Sequence, residues 1–175
     1  MKQTTVPEFV DSFKSSDRAL TYEGIVSFAQ LPRFMALQSS AAKEDAEVDV
    51  SFQFSRDEQK LSIVSMSYLA VATMTCQRCL NSLDHESKGR AVFVFCRHAA
   101  HMTQMPKRYE PVLVEANLVN LWQLLEDELL LSLPMFAKHP DRDCNGFLSE
   151  FKAGSQGQQT EKPFAGLGEL LKFKK

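Results

Sequence analysis

The chain has 175 residues, 44% of them hydrophobic and 24% charged, with a formal net charge of -2. That composition suits one compact domain with an ordinary core rather than two full domains. It also excludes the overall basic excess of a general nucleic-acid binder, so any RNA contact must come from a local patch.

Residues 1–10 lack the apolar core of a secretory signal. The most apolar stretch, residues 118–137, is interrupted by Glu126, Asp127 and Glu128 and closed by Pro134, so no segment reads as membrane-spanning. A cytoplasmic protein without membrane contact is expected. In that reducing compartment Cys76, Cys79, Cys96 and Cys144 stand as thiols or metal thiolates rather than disulfides.

Along the chain, residues 20–26 predict a short strand, and Leu31, Phe34, Met35 and Leu37 give a weak helical face with Pro32 tolerated in its first turn. Residues 41–46 read as a loop. Residues 47–55 alternate strictly, with Val48, Val50, Phe52 and Phe54 on one face, which is the pattern of a half-buried strand. A polar turn at 56–60 precedes two β-rich runs, 61–67 and 68–75, in which Leu69, Val71 and Thr73 alternate against Ala70, Ala72 and Met74. Residues 90–96 predict another strand through Val92, Phe93, Val94 and Phe95. Residues 97–111 lack periodicity and read as a loop, followed by a short strand at 112–114. Asn120 stands as an N-cap with Gln123 at the capping-box position, opening a leucine-rich helix that Pro134 ends. Being apolar on more than one face, this helix is expected to be buried, with Glu126-Asp127-Glu128 as a solvated edge.

The predicted fold is therefore α+β: a single domain over residues 1–150 with a curved antiparallel sheet, barrel-like in its closure, and one buried helix in the C-terminal half. Residues 151–175 are predicted as a flexible Gly/Ser/Gln-rich linker and a short amphipathic tail. In that tail Phe164, Leu167, Leu170 and Leu171 face lysines.

Cys76-Gln77-Arg78-Cys79 is the sharpest local feature, since two thiolates so spaced can face one ion from a tight knuckle. Two further ligands would complete a tetrahedral zinc site: His139 with Cys144, or Cys96 with His98 or His101. A dithiol redox centre is the competing reading of the pair, but its motif belongs at a helix N-terminus and this one lies between strand-like runs. There is no phosphate-binding Gly-rich loop, nucleophile elbow or His-Glu-x-x-His. Arg97, Lys107 and Arg108, with His98, His101 and Tyr109, group into a basic and aromatic loop of the kind that pairs with phosphate and stacks on unpaired bases.

Several stretches together resemble the YceD family of bacterial and chloroplast proteins. These are Leu20-Thr21-Tyr22-Glu23-Gly24-Ile25, Thr75-Cys76-Gln77-Arg78-Cys79, Tyr109-Glu110-Pro111, and the acidic-leucine helix from Asn120 through Leu133-Pro134, followed by His139 and Cys144. The resemblance implies a role in synthesis, processing or stability of 23S ribosomal RNA and no catalytic reaction. The expected partner is 23S rRNA or its precursor, met directly or through a large-subunit ribosomal protein, with no small-molecule substrate. Arg78, Arg97, Lys107, Arg108, Lys172, Lys174 and Lys175 are the expected contacts, and Cys76, Cys79, His139 and Cys144 the candidate zinc ligands. A metal-dependent RNA-processing enzyme or a thiol oxidoreductase is the alternative.

Overall fold

The computed structural model describes residues 2–3 (backbone only), 6–42, 46–141 and 144–146. The expected linker and tail, with Lys172, Lys174 and Lys175, lie outside these residues, as does part of the 41–46 loop. The elements below all fall in the compact unit Met1–Lys138.

The alternating segment forms β4 (Glu47–Arg56), burying Val48, Val50, Phe52 and Phe54 along one face. It lies between β3 (Thr21–Ser27) and β5 (Ser62–Thr75), and β5 pairs in turn with β6 (Ser82–Cys96); these four strands are antiparallel. Two short strands flank them in parallel, β1 (Lys2–Gln3) beside β3 and β7 (Glu110–Leu113) beside β6. The order is β1-β3-β4-β5-β6-β7. A second, two-stranded sheet joins β2 (Phe9–Asp11) to β8 (Leu118–Asn120).

The α+β class holds, but the barrel does not: β1 and β7 end the sheet without pairing to each other. Helix α4 (Leu121–Ser132) supplies the covering layer instead. Its Leu121, Leu124, Leu125 and Leu129 share one core with Val48, Phe52, Met66, Phe93 and Phe95 from the sheet. Asn120 caps this helix, accepting from Gln123 N at 2.9 Å, while its amide donates to Glu8 at 3.0 Å.

The remaining helices are short: α1 (Ser12–Asp17), α2 (Pro32–Met35) and α3 (Ala99–Met102). Pro32 opens α2 as expected, and Phe34 is fully buried against Phe28 in an edge-to-face contact. The loop expected over 97–111 holds α3 and the start of β7. The two runs at 61–67 and 68–75 are one 14-residue strand, because β4 and β6 pair it continuously.

The solvated acidic edge is a further correction. Glu126 is only 5% exposed. Its carboxylate accepts from the backbone N–H groups of Arg33 and Phe34 at 2.6 and 3.1 Å and from Arg33 Nε at 2.7 Å. Helix α2 has no side-chain cap of its own, so a carboxylate from another helix satisfies its first donors. Asp127 takes Arg33 Nη2 at 2.7 Å, and burial pushes the Glu128 carboxyl up.

Candidate functional site

The cysteine pair sits at the tip of the long hairpin made by β5 and β6. Cys76 N donates to Asn81 O and Leu80 N to Cys76 O, both at 2.9 Å, closing the loop. Leu80 takes a left-handed backbone, φ 60°, to complete the turn, a conformation that strains a residue with a Cβ. Arg78 N points at Cys76 Sγ at 3.4 Å. Cys76 is fully buried and Cys79 half-buried.

Gln77 N donates to Ala137 O at 2.8 Å, which holds the segment after α4 against the knuckle two residues before His139. His139 and Cys144, the other two ligands expected from sequence, belong to the second compact unit, His139–Lys175. Three sulfurs and one imidazole nitrogen are a donor set that suits zinc. Cys96, the other sulfur weighed from sequence, is buried at the far end of β6, and desolvation pushes its thiol up. The length of β6 separates it from the Cys76–Cys79 knuckle.

At that far end lies the basic loop. Arg97 follows β6 directly, its guanidinium 3.8 Å over the Phe13 ring and its Nε donating to Asn117 Oδ1 at 3.0 Å. Arg108 stacks beside Tyr109 at 4.7 Å and pairs with Asp57 at 3.5 Å; Tyr109 Oη donates to the same carboxylate at 3.3 Å. Lys107 is exposed beside them. His98 and His101 meet edge-to-face at 5.6 Å and, with Phe13, Phe95, Arg97 and Met105, rim a groove of about 290 Å³.

The candidate contacts therefore divide. Arg78 shares the knuckle with Cys76 and Cys79, whereas Arg97, Lys107 and Arg108 gather at the opposite end of β6, roughly 45 Å along the strand. Sequence reasoning missed the two residues that fix the basic loop, Asp57 and Asn117. Asp57 also accepts from Gln59 N and Leu61 N at 2.9 and 2.8 Å, so one carboxylate builds the β4–β5 turn and anchors Arg108. The turn-forming Asp-Glu-Gln-Lys run signals the first role; nothing local signals the second.

An open sheet backed by one helix, with a cysteine knuckle at one end of its longest hairpin and an anchored basic loop at the other, defines a small α+β protein with two separate candidate sites. Comparison with known proteins narrows that class. The chain belongs to the YceD family: a family model described as "Large ribosomal RNA subunit accumulation protein YceD" matches residues 64–171. It is similar to a protein of that description from Haemophilus influenzae (strain ATCC 51907 / DSM 11121 / KW20 / Rd). The two are 27% identical over 174 residues, covering 97% of this chain and 98% of the relative. No solved structure matches the chain. Among the described residues no helix is long and apolar enough to cross a membrane.

Proposed function

We propose that this chain is a cytoplasmic accessory factor in the accumulation of 23S ribosomal RNA, acting by binding rather than catalysis. The observation that carries the reading is the family match over residues 64–171, whose description names accumulation of the large ribosomal RNA subunit. The basic loop supports an RNA contact. Arg97 and Arg108 are oriented by Asn117 and Asp57 but keep exposed guanidinium faces, which suit a phosphate or an unpaired base better than a freely rotating side chain would. The partner is 23S rRNA or its precursor, reached directly through this loop or through a large-subunit ribosomal protein.

Zinc belongs to the same proposal as a structural ion, held by Cys76, Cys79, His139 and Cys144. It would supply no reaction step; it would fix the hairpin tip. The thiol-oxidoreductase alternative fits less well, because the pair lies on a hairpin turn without a helix N-terminus to activate one sulfur.

Ultraviolet cross-linking in growing cells, followed by sequencing of the recovered RNA, tests the function. Discrete 23S peaks that fade in an Arg97→Ala, Arg108→Ala variant are expected. Normal 23S levels in a strain lacking the protein would overturn the reading. Defined cleavage of precursor RNA by the pure protein with magnesium would replace it with an enzymatic one.

A further inference from the structure

The side of the sheet turned away from α4 is acidic and incompletely covered. The strand registers bring Ile25, Asp49, Leu69 and Lys88 into one cross-strand row, with Glu23 and Arg90 in the row on one side and Glu47, Val71 and Glu86 on the other. Asp84 extends the set toward the hairpin tip. Two adjoining grooves of about 640 and 580 Å³ run over these rows and share Asp49 and Leu69. Ile25, Leu69 and Val71 stand 56%, 45% and 52% exposed between the charges. Glu86 is paired with Lys88 at 2.8 Å, Glu23 accepts from Ser51 Oγ at 3.4 Å and Asp84 from Thr73 Oγ1 at 2.9 Å, while Glu47 and Asp49 add two more carboxylates to the same face.

We propose that this face docks an extended lysine- and arginine-rich segment of another protein. Basic side chains suit it twice over: their aliphatic stems cover Ile25, Leu69 and Val71 while their heads reach the carboxylates. RNA is the wrong sign for it, since phosphate would meet the carboxylates of Glu47, Asp49 and Asp84. A second copy of the chain applied symmetrically would bring acid onto acid. Crossing four strands about 4.8 Å apart takes about five extended residues, a length a disordered basic tail readily supplies. The inference rests on the chain being a binding factor, but its test reads peptide capture and not 23S levels, so either can fail alone.

The test is fluorescence anisotropy of the full chain with a labelled arginine–alanine repeat peptide of about ten residues, enough to span the sheet with overhang. Binding that weakens with added salt is expected, and a Glu47→Lys, Asp49→Lys variant should bind at least about tenfold more weakly. Asp84→Lys, on a different strand, should weaken binding in the same direction. Glu58→Lys, on the distant β4–β5 turn, changes net charge by as much as Asp84→Lys and should leave binding unchanged. Equal loss in Glu58→Lys, or no loss in the sheet variants with an unaltered circular dichroism spectrum, would overturn the proposal. So would a single-stranded RNA probe, or self-association of the chain, that depends on the same carboxylates.

Discussion

The carboxylate of Glu126 on α4 grips Arg33 twice, accepting its backbone N–H at 2.6 Å and its Nε at 2.7 Å. Main chain and side chain of one residue thus converge on one buried acid, 93 positions later in sequence. Removing it strands the N–H of Arg33 and that of the fully buried Phe34.

Glu126→Ala is accordingly expected to lower unfolding free energy by about 3 kcal/mol, the range for orphaning one side of a buried charged network. Asp127→Ala removes only the half-exposed arm of the cluster and should cost under about 1 kcal/mol. Urea denaturation of both variants checks this; equal losses would show that burial of Glu126 carries no special weight.

Gly89 has no room for a side chain. A Cβ there would stand 2.5 Å from Tyr68 Oη and 2.7 Å from Cζ. That ring is buried, and its hydroxyl donates to Glu128 O at 3.2 Å, tying β5 to α4. Gly89→Ala should destabilise by about 1–3 kcal/mol through overpacking. In a Tyr68→Ala background the same change should add almost nothing, and a thermal double-mutant cycle reads the difference.

Asp11 caps α1, and the Lys14 N–H, accepted at 2.9 Å, holds its carboxyl below the usual carboxylate range. A depressed folded value means stabilisation that is complete above the ordinary carboxylate range and lost as pH falls through the folded value. Asp11→Ala should therefore cost about 1 kcal/mol at neutral pH, with the gap to the parent protein narrowing below about pH 4. A gap that widens on acidification would contradict this assignment.

Purification without chelator should yield about one zinc per chain, and a strong chelator should lower the unfolding temperature. Cys76→Ser or Cys79→Ser should abolish the metal, while Cys96→Ser should leave it in place. Zinc at about a tenth of an equivalent or less in the parent protein would end the proposal.

How much of this was legible in sequence depends on where burial leaves a periodic trace. β4 was, because one face is buried and the other wet. Helix α4 was, through its leucines and the Asn120 cap. The first half of β6 was not: Ser82-Leu83-Asp84-His85-Glu86-Ser87-Lys88 offers no apolar alternation, and its buried member, Ser87, is hydroxyl-bonded to Ser132. Helix α1 escaped for a similar reason. Its buried face is Ser12, Ser15 and Ser16, with Ser16 Oγ donating to Ser12 O at 2.8 Å and Ser12 Oγ to Asn117 O at 3.0 Å. Small polar residues satisfied by backbone carry no hydrophobic period. At the candidate site the Cys76–Cys79 pair was visible from spacing, but Asp57 and Asn117 act on residues far along the chain, and no local pattern encodes that.

The small sheet of β2 and β8 joins the front of the chain to residues more than a hundred positions later. Leu121 N donates to Glu8 O at 2.8 Å and Trp122 Nε1 to Val6 O at 3.2 Å, so α4 is stitched at its start to the first dozen residues. During translation Phe9–Asp11 must wait for its partner strand until more than a hundred further residues have been made. Closure of this region therefore has to follow synthesis of Leu118–Asn120, and pairings so distant in sequence carry a large loop-closure cost. Loss of residues before Phe9 would remove the Glu8 and Val6 acceptors and leave β2 alone to hold the start of the helix.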